Sequence, residues 1–311
     1  MILLAGIRSE PALARVAAEL DRLGVPVAWF DQRHAADSDC EYRIDGEGLR
    51  GTLKLERQAV GLEDVVAVYT RLMDDRFLPE LKGLPTDAPA RVRCRRLHDA
   101  LITWMELTPG RVVNRGMAMA SNGSKPYQAQ LIRAAGFDVP ETLITNEPDL
   151  VRDFVARHRR VVYKSISGTR SIVRELDDEA LARLHDIRWC PVQFQAYVEG
   201  VDVRVHVIGS QVYATRVTSD AADYRYAGVN GGQPARLEAI RLSETVEQRC
   251  VEFTERLGLR FSGIDLRITP TERVVCFEAN PCPAYDYYEG HTGQPIARAV
   301  ARHLAGVAGA L

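Results

Sequence analysis

Gly263-Ile264-Asp265-Leu266, followed by Phe277-Glu278-Ala279-Asn280-Pro281, is the stretch on which the reading of this chain turns. Residues 261–268 read as a strand, Thr269-Pro270-Thr271-Glu272 supplies turn residues, and residues 274–278 read as a returning strand. A hairpin whose turn is centred on Thr271-Glu272 sets Asp265 directly opposite Glu278. Glu278 and Asn280 are two apart, so if the strand continues, Asp265, Glu278 and Asn280 converge on one face. Like charges placed opposite repel, and a hard cation relieves the repulsion. Mg²⁺ fits, because it takes oxygen ligands and is usually held by one or two carboxylates, with waters and substrate phosphates completing the shell. Asp265, Glu278 and Asn280 are therefore the candidate metal ligands. A solvated hairpin with acidic residues placed by chance has the same local pattern.

The 311-residue chain is long enough to bury a substantial core and to divide into two or three lobes. Hydrophobic content of 46%, charged content of 26% and a net charge of −2 mark an ordinary globular composition. No basic excess points to nucleic acid, which is not an expected partner. Residues 1–7 are apolar, but Arg8 and Glu10 follow, and the run is too short for a signal-peptide core or a bilayer span. No membrane is expected, and the default location is cytoplasmic. Cys40, Cys94, Cys190, Cys250, Cys276 and Cys282 show no zinc-type spacing and are expected as reduced thiols.

The chain opens as strand (residues 2–7), helix (11–23) and strand (25–30), with Leu13, Val16, Ala17, Leu20 and Leu23 as the helix's apolar stripe. Ser9 is placed to cap that helix, Pro11 suits its first turn, and Gly24 can take the left-handed conformation that ends it. Such a βαβ opening predicts a small parallel sheet. Its first turn lacks Gly-x-Gly-x-x-Gly, so a strict dinucleotide fold has no support. Residues 41–57 alternate around Asp45-Gly46-Glu47-Gly48 as a hairpin, and residues 65–71 form another strand. Arg71, Asp74 and Arg76 follow where open sheets bind ligands; they could face a substrate carboxylate or form a solvated charged loop. Further helical patterns fall at 93–107, 124–135, 148–158, 243–257 and 294–304, and strand patterns at 111–114, 160–165, 191–198, 202–208 and 211–217.

Two lysines belong beside the acidic hairpin. Lys125 begins a helix after Ser121-Asn122-Gly123-Ser124, and Lys164 ends the apolar strand Val161-Val162-Tyr163. Both could reach phosphates, and both could equally be surface lysines. Gln193 to Arg204 joins two strand patterns across an inter-lobe crossing, where backbone groups can read an adenine edge and Asp202 can accept from ribose hydroxyls. Arg204 shares the face of Asp202. An edge strand with alternating polar residues would look the same.

In order, Lys125, Lys164, Gln195-Ala196-Tyr197-Val198, Asp202, Arg204, Asp265, Glu278 and Asn280 resemble the set found in ATP-grasp ligases, specifically the RimK-like branch. The resemblance runs over roughly residues 110–305, carried above all by Asp-x-Arg, then Gly-Ile-Asp-Leu, then Phe-Glu-Ala-Asn-Pro. The closing stretch from Tyr285 to Ile296, and the strand end Val68-Tyr69-Thr70-Arg71, look like the peptide-maturing members called graspetide synthetases. The implied fold class is α/β with α+β lobes: a small parallel-sheet domain (1–110), a central lobe (111–195) and a C-terminal lobe with the metal site (196–311).

The resemblance also implies roles. Lys125 and Lys164 would hold the α- and β-phosphates of ATP, Gln195, Ala196, Tyr197 and Val198 the adenine, and Asp202 the ribose. Asp265, Glu278 and Asn280 would hold two Mg²⁺ ions. Arg204, Arg216 and Asn230 would face the γ-phosphate and an acyl phosphate. Two departures stand out: Ser167-Gly168-Thr169-Arg170-Ser171 has one glycine where the family's phosphate-covering loop is glycine-rich, and Ala196 replaces a common Glu. The implied reaction activates a carboxylate as a mixed anhydride with phosphate, which an amine or hydroxyl then displaces. The substrate would be a ribosomally made precursor peptide with a leader, or a small molecule or protein tail that receives an amino acid. A nucleotide-binding module without turnover is the alternative outside enzymes. A homo-oligomer is compatible with all three.

Overall fold

Strand β1 (Ile2–Gly6) is short, apolar and buried at every position. It sits at the centre of a parallel sheet because neither face can be left in water. The computed structural model describes residues 1–46, 48–166, 173–219 and 235–307. After β1 come α1 (Pro11–Arg22), β2 (Val27–Asp31), β3 (Asp39–Asp45), β4 (Gly48–Lys54), β5 (Ala59–Gly61), β6 (Ala67–Thr70), α2 (Pro89–Leu107) and β7 (Arg111–Val113). The sheet order is β2-β1-β6-β7, all parallel, as the βαβ opening predicts. Strands β3 to β5 form a separate antiparallel sheet, with Asp45 paired to Gly48 at the expected turn. Gly24 does take positive φ (67°) and ends α1. The expected Ser9 cap does not form: Glu10 occupies the cap position without a side-chain cap bond, and its carboxylate is held by Arg71 instead.

The central region continues with α3 (Gly116–Met119), α4 (Lys125–Ala134), β8 (Thr142–Thr145), α5 (Pro148–His158), β9 (Val161–Ser165), β10 (Arg174–Glu175), α6 (Asp178–Ala182) and β11 (Val192–Ala196). Its antiparallel sheet has the order β10-β9-β11-β8. Val161 and Phe194 face a small core with Val151 and Phe154 of α5. Alternation therefore places Lys164 and its cross-strand partner Gln193 on the opposite face.

The last sheet is built from β12 (Val201–Ile208), β13 (Gln211–Thr218), β14 (Arg236–Ile240), β15 (Phe261–Ile268) and β16 (Val274–Asn280), in the order β14-β13-β12-β15-β16. Helix α7 (Glu244–Arg256) lies between β14 and β15, and α8 (Asp286–Thr292) and α9 (Ile296–Ala305) close the described chain. Val203, Val205 and Val207 of β12 pack with Ile264, Leu266, Cys276 and Ala279 against Phe253 of α7 and Ile132 of α4. The even-numbered residues Asp202, Arg204 and His206 consequently share the other face. Helix α9 packs back on α1 and the parallel sheet, where Ile296, Val300 and Leu304 share a core with Leu4, Leu13, Leu20 and Tyr69. The first and last parts of the chain are thus one packed unit. Strands β5 and β14 and helix α8 carry no pattern that the sequence reading recognised.

Candidate active site

One rung of the last sheet carries the charged residues. Thr215, Arg204, Asp265 and Glu278 are successive cross-strand neighbours from β13 to β16. The pairing of Asp265 with Glu278 is the one read from the sequence, but its cause differs. Ile268 pairs with Val274, and Thr269 N–H donates to Arg273 O (3.0 Å), so the loop is centred on Thr271. Register then shifts between Asp265 and Leu266, because Leu266 pairs with Cys276 and leaves Phe277 as an extra residue. That bulge restores the Asp265–Glu278 pairing. It also lets a strand with Cys276 and Ala279 in the core present Glu278 and Asn280 on the opposite face.

Each carboxylate of the pair holds a cation. Arg204 Nη1 donates to Asp265 Oδ1 at 2.6 Å, and Lys125 Nζ donates to Glu278 Oε2 at 3.2 Å. Burial pushes the Glu278 carboxyl up, but the charges of Lys125 and Lys164, the Lys125 hydrogen bond and Arg204 more than offset it and hold it below its ordinary value. Lys164 therefore belongs to the same electrostatic site although it stands on a different sheet. Asn280 faces Gly263, and its Oδ1 accepts from Cys282 N–H at 2.9 Å. Among the described residues no cluster of three His, Cys, Asp or Glu side chains forms. The donor set is two carboxylates and an amide, all oxygen, which suits Mg²⁺ sharing its shell with substrate phosphates.

Gly263 has a steric reason. A Cβ there would lie 2.7 Å from both Arg204 Cζ and Pro283 Cβ. The Arg204 guanidinium occupies the space that any side chain at 263 would need.

At the crossing, Ala196 N–H donates to Glu141 O (2.9 Å) and Tyr197 N–H to Arg160 O (3.0 Å), so neither is left for a nucleotide. Val198 O accepts from Arg267 Nη1 at 2.7 Å. Among the described residues no hydrogen bond takes the Val198 N–H. Gln195 Nε2 donates to Thr142 Oγ1 at 2.9 Å. Asp202 is forked by Arg267 (2.7 and 2.9 Å), whose guanidinium also lies over Tyr197 and Phe277.

Several expectations change. Arg216 pairs across to Val203, on the core face of β12, and binds Glu238 at 3.4 Å; the structure does not bring it to the Arg204 rung. Asn230 and the Ser167–Ser171 loop lie outside the described residues. Arg71 is not open to a substrate: it is nearly buried, bonded to Glu10 (2.6 Å) and to Pro283 O (3.1 Å), and ties the parallel sheet to the segment after Asn280. The closing stretch is a docking device, since Gln294 donates to Ala214 O (3.0 Å) and accepts from Thr215 (2.9 Å), while Glu289 caps α9 at Ala297 N–H (2.8 Å).

The sequence reading missed two buried amides. Gln128 donates to Ala279 O (2.9 Å) and accepts from Ala279 N–H (3.0 Å), completing the edge of β16 between Glu278 and Asn280. It stands one turn from Lys125 on α4, so one helix face serves both. Asn114 bonds Phe261 O (2.7 Å), Pro281 O (2.6 Å) and Arg260 N–H (2.7 Å), joining the entry of β15 to the exit of β16. That spacing from Lys125, i and i+3, was the available signal for Gln128; Asn114 had none.

An antiparallel sheet that places paired carboxylates opposite a lysine-bearing lobe is the architecture of an ATP-dependent ligase of the ATP-grasp fold. Residues 123–304 match the RimK-like ATP-grasp domain, and the chain belongs to that family. A probable alpha-L-glutamate ligase of Xanthomonas euvesicatoria pv. vesicatoria (strain 85-10) is 27% identical over 263 residues, covering 79% of this chain and 88% of the relative. A Chryseobacterium gregarium RiPP-associated ATP-grasp ligase, solved with ADP and a leader and core peptide, superposes with a TM-score of 0.84 at 20% identity, covering 99% of this chain and 97% of that one. The ATP-grasp ligase PsnB, solved with a phosphomimetic variant of its minimal precursor, Mg and ADP, gives 0.77 at 27% identity, covering 98% of each chain. Ligases of this fold use ATP and Mg²⁺. No helix among the described residues is long and apolar enough to cross a membrane.

Proposed function

We propose that this protein activates side-chain carboxylates of a ribosomally made precursor peptide with ATP and joins them to amines or hydroxyls of the same peptide, forming macrolactams or macrolactones in the cytoplasm. The observation that carries this reading is the likeness to PsnB, a ligase solved with its precursor, which extends over the parallel sheet as well as the ATP-grasp lobes. The site supports it. Asp265, Glu278 and Asn280 would hold two Mg²⁺ ions, which supply charge neutralisation at the phosphate oxygens.

The remaining roles fall to the chain's own groups. Lys125 and Lys164 bind the phosphates, the Val198 N–H meets the adenine edge beside Gln195, Ala196 and Tyr197, and Asp202 meets the ribose. A peptide carboxylate oxygen attacks the γ-phosphorus, the bond to the bridging oxygen breaks, and ADP departs. Arg204 faces the acyl phosphate so formed, where a fixed cation stabilises developing negative charge. A peptide amine or hydroxyl then attacks the acyl carbon, loses its proton, and expels phosphate. Arg216 leaves the proposed set, because it stands on the other face.

Incubation with ATP, Mg²⁺ and a synthetic peptide, taken from a short acidic reading frame beside the gene, tests the reading. ADP release that depends on the peptide, with loss of water from the peptide's mass, is the expected result. ADP release only with free amino acids overturns it in favour of a second reading, an amino-acid ligase, which the glutamate-ligase relatives favour. No ADP release with either would leave a nucleotide-binding module.

A further inference from the structure

His206 is fully buried, yet it lies on the face of β12 that carries Arg204 and Asp202 rather than on the core face of Val205 and Val207. Nothing in the reaction above uses it. Its surroundings are specific. Arg204 Nε donates to His206 Nε2 at 3.5 Å, and the imidazole meets the Tyr288 ring edge-on with centroids 5.0 Å apart. The Arg204 guanidinium lies over the same Tyr288 ring at 5.7 Å. Asp265 takes Nη1, and Gly263 leaves the gap in which the guanidinium sits.

Arginine is a permanent donor, so the nitrogen facing it must carry a lone pair. A buried imidazole beside a fixed cation stays neutral, and with Nε2 accepting, its proton is on Nδ1. Among the described residues Nδ1 has no hydrogen-bond partner. A buried donor left unpaired costs free energy that a leucine at 206 would avoid. The tautomer that leaves Nδ1 unpaired is the one that serves Arg204. A carboxylate here would also accept from Nε, but with Asp265 it would cancel the guanidinium's charge twice over; a neutral acceptor orients without neutralising.

We infer that His206 is a positioning residue, which with Tyr288 fixes the Arg204 guanidinium toward the phosphoryl end of the nucleotide site. The role assigned to Arg204 rests on the proposed function, so the test reads positioning and nucleotide binding separately. The Arg204 Nε–H signal in ¹⁵N-arginine-labelled protein, assigned by its loss in Arg204→Lys, reports the hydrogen bond without any substrate. It is expected to exchange slowly with water in the native protein and in His206→Gln, which keeps a neutral acceptor, and to exchange fast in His206→Leu. Affinity for Mg·AMP-PNP should fall about tenfold in His206→Leu, while affinity for Mg·ADP should stay within about twofold, since only the former presents a γ-phosphate.

An Arg204 signal unmoved by His206→Leu overturns the positioning role. Equal losses for both nucleotides overturn it as well, since they indicate a disturbed pocket. A lost signal with unchanged Mg·AMP-PNP affinity overturns the placement of Arg204 at the γ-phosphate. Should His206→Leu not accumulate as folded protein, His206→Asn, too short to reach Nε, must behave as predicted for leucine.

Discussion

Asp265 and Glu278 stand opposite each other because Phe277 is squeezed out of the ladder beside them. Cys276 lies in the core, and strict alternation would send Glu278 there too. The extra residue reverses the parity, and the two acidic side chains meet. Each is then held by a cation from another element, Arg204 on β12 and Lys125 on α4.

Glu278→Ala and Asp265→Ala should lower turnover by about 100-fold or more while the fold persists, because both lose charge stabilisation at the phosphates and neither fills the core. ADP release and circular dichroism together check this. Near-normal turnover in either variant removes that residue from the site.

Lys125→Met should raise the Glu278 pKa. A carboxyl lowered on folding stabilises the protein above its ordinary range and loses that contribution as pH falls through the lowered value. Without Lys125, burial is offset less, so Glu278 should titrate higher and acid unfolding should begin at higher pH. Carbonyl-carbon NMR titration reads the shift, and an unmoved Glu278 would contradict the pairing.

Gln128→Leu leaves the Ala279 N–H and C=O unpaired, both buried, and should cost about 2–3 kcal/mol of stability. Hydrogen exchange at the Ala279 amide should accelerate ahead of the rest of β15 and β16. Exchange unchanged at Ala279 would show that the amide contact is not holding the strand.

Gly263→Ala forces a methyl group against Arg204 and Pro283 and should destabilise the protein by about 1–3 kcal/mol, with a loss of turnover that exceeds the change in stability. Denaturant unfolding and ADP release separate the two effects.

Arg267→Lys should weaken nucleotide binding about tenfold at unchanged fold, since one ammonium cannot replace a fork that grips Asp202 while lying over Tyr197 and Phe277. Calorimetric titration with Mg·ADP checks it, and unchanged affinity would place Asp202 outside the ribose site.

Much of this was legible along the chain. Alternation over 261–268 and 202–208 gave the strands and put Arg204 on the face of Asp202, and the βαβ opening gave the parallel sheet, because periodicity records which side of an element is buried. Helix α8 carries no such signal, since seven residues with two tyrosines and a glycine show no period. Arg71, left open between a ligand contact and a solvated loop, proved to be neither, because its partners Glu10 and Pro283 are remote in sequence.

By itself the sequence determined the order Lys125, Lys164, Asp202, Arg204, Asp265, Glu278, Asn280 and made the last three candidates for one face. Only the tertiary structure decided how that face is reached and which cation answers which carboxylate. The bulge at Phe277 is set inside the β15–β16 ladder, and the Gln128 clasp 151 residues from Ala279 depends on how α4 packs on the edge of that sheet. Local pattern fixes which face a residue takes, whereas a pairing between distant elements is set by the packing of the whole core and leaves no period in the chain.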